Sequence, residues 1–565
     1  MRVSVKTKQA QPNIRTHVPS PRDAGRGEGS VFLSGVLVLT LSTVLVKLIG
    51  MLYKIPMLHY LGSEGMGYFN AAYEWYATLC VIATSGLPLA SSMFIARARA
   101  VGCPEAVRRV ERLSLLVFAC LGAVGALALW LGAGPLAALI GSPATRYALM
   151  ATAPTILFSC LSGAYRGYFQ GHKNMVPTAV SQVIEALGKL ILGLSFAYIA
   201  QRRGMDAPRI AAWAMVGLGI GVAVSTLYLM WWRAGYRPSE ASVEEQGEAS
   251  LDVKTITLRR LLSIAIPVTL SSSVVSVTRL FDVALILRRL QHIGYDTAGA
   301  NKLYGCYTTM VIPLFNLVPS LITSVALALV PSLTAAIKTG DVSTQVSTAR
   351  TAIRLTALLS LPASLAISIY SETILTLLFR GEDASIALAA PMLSILAISI
   401  FFSGSITTTN AILQAYGRVK APICSMLAGS AFKLVVAYVL IGLPTVNIYG
   451  APISTFLCDA MIVGINLFLI ARHTDVLGSI KEMLVRPLAI SALSVGLPGV
   501  AYALLTRAGY PPLPLFLSAV PVTVALYLLL CLGGGLIGEQ EMALLPPGLA
   551  KRLQYFCKTA PPKTE

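Results

Sequence analysis

Two lysines, Lys47 and Lys54, stand inside one long apolar run, Phe32 to Leu58. A charge at membrane depth costs roughly 2.5 to 3.5 kcal/mol on insertion scales, so a lysine there faces a polar cavity or a partner rather than lipid. Seven residues apart, the two share a helix face and lie about 10 Å from each other along the axis. Two ammonium groups on one face make an anion-binding surface, suited to a phosphate or pyrophosphate. Snorkelling to the interface is the alternative, and it fits Lys54, near one end of the run, better than the more central Lys47.

Other charges sit in similar runs. Glu74, in the string YEWY, is the nearest acid. It reads either as a proton or cation site or as the counter-charge of a neighbouring lysine. Arg279 and Asp282 are three apart, a spacing that lets them pair on one helix face, and a structural ion pair and a substrate site are equally open. Glu185 and Lys189, at i and i+4, are expected to neutralise each other. Lys433 and Asp459 are candidates for a cross-helix pair, and Arg166 and Arg418 for snorkelling at helix ends. Pro313, Pro319 and Pro331 remove backbone donors within one apolar stretch, as Pro88 does in SGLPLA. Such prolines read as bent, gating helices, with the freed carbonyls met by neighbours or a wet cavity.

These residues need helices to hold them. The 565 residues are 55% hydrophobic and 12% charged, with a mean hydropathy of +0.72, which excludes an ordinary soluble protein. Apolar runs of about 20 residues predict fourteen membrane helices: 32–58, 68–96, 113–132, 147–169, 177–200, 210–232, 261–287, 303–335, 352–378, 386–416, 421–441, 448–471, 487–505 and 513–537. The first two are joined by the Gly-rich stretch LGSEGMG, expected as a turn. The expected fold is all-α and polytopic, with two pseudo-symmetric six-helix lobes plus two C-terminal helices. Its parts are a disordered arm at 1–30, an N-lobe at 31–232, a linker at 233–258, a C-lobe at 259–472, helices 13 and 14 at 473–537, and a tail at 538–565.

The net charge of +19 is accounted for by Lys and Arg gathered in alternate loops, a bias of about three to one, so nucleic acid is not an expected partner. That bias places both termini in the cytoplasm. Of nine cysteines, most lie inside apolar runs and none forms a CxxC, so neither a metal site nor a disulfide is expected. No GxxxxGK[ST], HExxH or GxSxG motif is present, so no catalytic residue is proposed and an enzyme is not expected. The chain also repeats itself. Gln170, Pro177 and Gly188-Lys189-Leu190 recur as Gln414, Pro422 and Phe432-Lys433-Leu434, with Gln and Lys nineteen residues apart in both copies. Duplicated halves with a site between them are a common transporter plan.

The strings KLIGMLYKIP (Lys47 to Pro56), LGSEGMGYF (Leu61 to Phe69) and SGLPLASS (Ser85 to Ser92) resemble polysaccharide exporters of the stage V sporulation protein B type. That group belongs to the multidrug/oligosaccharidyl-lipid/polysaccharide flippase superfamily, which includes the lipid II flippases. The resemblance implies alternating-access flipping of an undecaprenyl-type lipid-linked sugar in a bacterial cytoplasmic membrane, with cavity cations at the positions of Lys47 and Lys54. Where the family commonly has Arg, this chain has Lys, a point charge without the planar fork that grips phosphate bidentately. Arg279, Asp282 and Glu74 complete the expected cavity. No cofactor is implied, although a coupling ion, Na⁺ or H⁺, is open, and cell-wall synthesis enzymes are candidate partners. A multidrug/cation antiporter and a non-transporting wall-synthesis scaffold are the rival readings.

Overall fold

A long apolar segment in lipid must satisfy its own backbone, and a helix does so locally. Every element of the computed structural model is helical among the described residues, which are 38–39, 41–236, 258–473 and 481–534. Helix α1 covers Leu41–Leu52. It is followed by α2 (Lys54–Thr84), α3 (Gly86–Ala100), α4 (Pro104–Leu139), α5 (Arg146–Gly171), α6 (Val176–Gly188), α7 (Leu194–Arg202) and α8 (Ala207–Gly235). The second half holds α9 (Leu258–His292), α10 (Thr297–Cys306), α11 (Ile312–Thr339), α12 (Val342–Ile369), α13 (Ser371–Leu378), α14 (Asp383–Ala415), α15 (Lys420–Ile441) and α16 (Gly450–His473). Two further helices, α17 (Arg486–Arg507) and α18 (Pro512–Gly533), complete it.

Twelve helical runs among the described residues are long and apolar enough to cross a membrane. The 35-residue α9 and the shorter α1 stand where the other two expected spans fall. The chain is a multi-pass, all-α membrane protein. Its arm, most of its linker and its tail lie outside the described residues.

Helix α5 is the hub of the first half, packed by α2, α3, α4 and α8, and α8 in turn covers α6 and α7. In the second half α14 plays that part, against α11, α12 and α16, while α15 lies on α16 and α17 reaches the group through α12. Helices α2 and α3 cross between the halves to meet α9 and α10. Hydrogen bonds fix this crossing: Asn70 Nδ2 donates to Thr309 Oγ1 at 2.8 Å, and Thr78 Oγ1 donates to the Ser276 carbonyl at 3.1 Å.

Four local departures from the expected elements bear on the site. The stretch 61–67 is not a loop: only Gly62 leaves the helix, at φ 66° and ψ 171°, a left-handed φ that glycine adopts freely. Gly67 and Gly305 instead let α2 and α10 touch backbone to backbone, since a Cβ on either would overlap a carbonyl of the other helix, that of Asn301 or of Ser63. The span expected over 68–96 is interrupted at Ser85, between α2 and α3, just before Pro88. The spans expected over 177–200 and 303–335 each pass through a π turn, Lys189–Gly193 and Tyr307–Val311. Such turns are frequent at functional sites. The span expected to end at Leu378 ends at Ile369, with Ser371–Leu378 a separate short helix.

Candidate functional site

A cavity of about 320 Å³ lies where α2 faces α9, the π turn between α10 and α11, α15 and α16. Of the five residues expected to line a site, it brings together four: Lys54 and Glu74 from α2, and Arg279 and Asp282 from α9. Lys47 is not among them. It is exposed on α1, one helix segment before Lys54, and lines no part of this cavity. The shared face inferred from the seven-residue spacing assumes one straight helix. A turn at Tyr53 separates α1 from α2, and it is α2 that packs on α9 and α10.

Lys54 is held by the bent helix. In the π turn, the Ile312 amide donates to the Tyr307 carbonyl, five residues back. The next donor in that ladder would be residue 313, which is proline and has no N–H. The Thr308 carbonyl is thereby released, and Lys54 Nζ donates to it at 2.7 Å. Of the prolines singled out for bending, Pro313 opens this carbonyl, Pro319 and Pro331 lie within the continuous α11, and Pro88 lies in the first turn of α3.

Asp282 does not pair with Arg279. Its carboxylate accepts from Lys433 Nζ on α15 in a short ion pair. Lys433 therefore does not pair with Asp459, whose carboxylate accepts from Ser399 Oγ at 2.6 Å instead. Arg279 is exposed toward the cavity and has no ion-pair partner among the described residues, and the same holds for Glu74. Nor do Glu185 and Lys189 meet. Glu185 accepts from Arg166 at 2.9 Å, so Arg166 is an ion-paired residue rather than a snorkelling one. Lys189 Nζ lies 4.5 Å from the centre of the Tyr53 ring and 4.1 Å from that of Tyr73. Tyr73 itself lines the cavity, so Lys189 stands directly behind its wall.

Apolar residues such as Val283, Ile286 and Phe315 share the rest of that wall with polar neutral ones, among them Asn70, Tyr73, Tyr304, Tyr307, Thr308 and Asn316. The charge-led sequence reading passed over them. Their signal was present in Tyr304, Tyr307 and Thr308, which at i, i+3 and i+4 put hydroxyls on one face of an otherwise apolar span. Among the described residues no group of three His, Cys, Asp or Glu could hold a metal ion. The arrangement suits an anionic, hydroxyl-bearing headgroup: an ammonium and a guanidinium for negative charge, with amides and phenols to bond the remainder.

A family model described as polysaccharide biosynthesis protein matches residues 32–337, more than half of the chain. The chain belongs to that family. A second model, MatE, matches residues 308–439, in keeping with the superfamily that the motifs pointed to. Three similar proteins come from Bacillus subtilis (strain 168). The uncharacterized membrane protein YabM is 26% identical over 91% of this chain and 94% of its own length. Stage V sporulation protein B is 25% identical over 80% and 86%, and the lipid II flippase MurJ 26% over 84% and 88%. Among solved structures, the inward closed conformation of lipid II flippase MurJ superposes with a TM-score of 0.67 at 13% identity, covering 87% of this chain and 98% of that one. An inward-facing multidrug resistance MATE family transporter gives 0.61 at 16% identity, covering 76% and 98%. The family's fold is thus the MurJ and MATE transporter fold.

Proposed function

We propose that this chain is a flippase that moves a lipid-linked saccharide, a peptidoglycan or polysaccharide precursor, from the inner to the outer leaflet of a bacterial cytoplasmic membrane. The observation that carries this reading is the cavity at the crossing of the two halves, with Lys54 and Arg279 facing it and no carboxylate ion-paired to either among the described residues. A pyrophosphate would sit against those two cations, its sugar against the tyrosines and asparagines, and its isoprenoid tail in lipid. The two halves would rock about the bound headgroup and expose it to each side in turn. The name of one B. subtilis relative, the lipid II flippase MurJ, supports the substrate class.

No covalent bond is made or broken in that cycle, so we read the chain as a transporter and not an enzyme. Both termini are assigned to the cytoplasm from the loop charges. Cell-wall synthesis enzymes remain proposed partners, and the coupling ion, Na⁺ or H⁺, is assigned to no residue.

The test is delivery of fluorescent or biotinylated lipid-linked precursor to the outer leaflet in a flippase-depleted strain carrying this gene. Rescue that requires Lys54 supports the reading, whereas full rescue by a normally abundant Lys54→Glu protein would overturn it. Glu74 favours a second reading, a cation antiporter, because a carboxylate without an ion-pair partner among the described residues faces the same cavity. Proton- or Na⁺-driven uptake of a cationic dye, lost in Glu74→Gln while precursor export persists, would favour that reading.

A further inference from the structure

A second cavity, of about 420 Å³, lies wholly within the first half, between the end of α2, the start of α3, α5 and α6. It falls in the range of roughly 300 to 1,000 Å³ that small-molecule sites occupy. Besides Pro88, Leu89 and Gly163, its wall carries hydroxyls, Cys80, Gln170 and one ion pair. Tyr76 and Ser159 bond each other at 2.9 Å, and Arg166 donates to Ser181 Oγ at 3.0 Å and to one oxygen of Glu185 at 2.9 Å. Glu185 stays 34% exposed and keeps its second oxygen available.

Two of its hydroxyls are left over. Ser162, 1% exposed, and Ser85 both line the cavity, and neither Oγ has a hydrogen-bond partner among the described residues. Serine in a membrane helix normally bonds a carbonyl one turn back, as Thr84 does with Cys80 at 2.6 Å. A buried hydroxyl that forgoes this bond is destabilising unless something else meets it. The second half offers a contrast. Its internal cavity, of about 120 Å³, is walled by Phe401, Phe402 and Ile353 among others, and of the three threonines that line it Thr356 and Thr408 bond each other at 2.6 Å while Thr409 donates to the Ser405 carbonyl at 2.7 Å.

The two polar cavities are neighbours. Tyr73 lines the central one, Tyr76 lines the other, and their ring centres are 5.8 Å apart on the same helix. Serine and tyrosine hydroxyls, a glutamine (Gln170) and a carboxylate backed by a guanidinium are the groups that bond sugar hydroxyls. A second phosphate does not fit, because the single cation is already bound to Glu185. We infer that this cavity is a saccharide subsite, taking a distal sugar of the headgroup whose pyrophosphate and first sugar lie in the central cavity. The inference rests on the flippase reading for the origin of the sugar.

Cys80 lines the subsite and reports on it. The full-length protein, in nanodiscs, is alkylated with N-ethylmaleimide and Cys80 modification is followed by peptide mass spectrometry. Cys103, outside the cavity, serves as the reference. N,N′-diacetylchitobiose should slow Cys80 alkylation several-fold, and inorganic pyrophosphate should not. Ser85→Ala/Ser162→Ala, which removes only unpartnered hydroxyls and so should fold as well as wild type, should weaken that protection about tenfold, the effect of about 1.4 kcal/mol. Protection that is absent in wild type, or unchanged in the double variant, would mean a water-filled cavity only and overturns the subsite. Transport separates this outcome from failure of the flippase reading. Wild type that moves neither undecaprenyl pyrophosphate nor its glycosylated form sinks that reading, while Cys80 protection by the disaccharide decides the subsite independently.

Discussion

Lys189 and Lys433 hold matching places in the two halves, each nineteen residues beyond a glutamine, yet their charges are compensated in different ways. Lys433 on α15 binds the Asp282 carboxylate, so the wall contributed by the second half is close to neutral there. Lys189 has no carboxylate, because Arg166 holds the one a turn away, and it rests on the faces of Tyr53 and Tyr73. A desolvated cation on an aromatic face gains about 2 kcal/mol, less than the several kcal/mol that removing an ion from water costs. Lys54, on the same side, donates to a carbonyl and has no ion-pair partner among the described residues, although Glu74 lines the same cavity. Behind and within the wall, the first half thus holds Lys189 and Lys54 beside the unpaired Glu74, while the second half holds the closed Lys433–Asp282 pair beside Arg279. What an anion meets is set by which cations lack carboxylates, not by how many cations the sequence contains.

The comparison breaks most severely if the closed pair is opened. Asp282→Asn leaves Lys433 buried without its counter-charge, and breaking such a pair typically costs about 3 to 5 kcal/mol. Folded protein in the membrane and the melting temperature in detergent should both fall. Asp282→Asn together with Lys433→Met should recover most of the loss, since an apolar replacement of a whole pair is close to neutral. Arg279→Ala should not rescue Asp282→Asn. If it did, Arg279 rather than Lys433 would be the partner of Asp282.

Next in size is Lys54. Replacing it by Met removes a cation from the wall and leaves the Thr308 carbonyl unmet, a cost of about 1 to 3 kcal/mol. Export should fall at least about tenfold, the change corresponding to 1.4 kcal/mol lost at the headgroup. Lys54→Arg keeps both the charge and a donor for Thr308 and should retain most activity. Equal activity of the Met and Arg variants at equal abundance would remove the anion from the mechanism.

The sequence made the spans legible because a helix in lipid satisfies its backbone within itself, so hydropathy alone locates it. The runs at 113–132 and 147–169 lie inside α4 and α5 as expected. Side-chain pairing was not legible, because it is decided between helices. Lys433 and Asp282 are 151 residues apart, and no spacing rule reaches that far. The i, i+4 rule put Glu185 with Lys189, but that rule describes an exposed helix, and in a bundle Arg166 from α5 competes and wins. Gly67 gives a second case for a related reason. Glycine marks a turn and a close helix crossing alike, and only the partner helix tells the two apart.

A smaller effect should follow at Lys189 itself. Lys189→Gln removes a buried charge whose compensation is only aromatic, so thermal stability should hold or rise slightly. Export should drop severalfold, because the field behind Tyr73 weakens. Tyr73→Leu removes one of the two faces and should cost about 1 to 2 kcal/mol in wild type, yet clearly less in the Lys189→Gln background. Measuring melting temperatures of the four proteins in this cycle checks the coupling. Additive effects would mean that Lys189 is not held by the ring, and the contrast with Lys433 would lose its first member.

The smallest effect is expected at Lys47, and it bounds the comparison from outside. It is exposed on α1 and absent from the cavity wall, so a neutral side chain there changes neither a pair nor a hydrogen bond of the site. Lys47→Gln should leave the melting temperature within the scatter of surface substitutions, about 0.5 kcal/mol, and membrane abundance should be equal or higher because a charge has been removed from an apolar segment. Export should fall less than in Lys54→Met. An export defect as large as that of Lys54→Met, at normal abundance, would mean that Lys47 joins the substrate path in another conformation of the cycle. The positive wall would then extend along α1 as well as α2, and the site would be larger than the cavity closed here between α2 and α9.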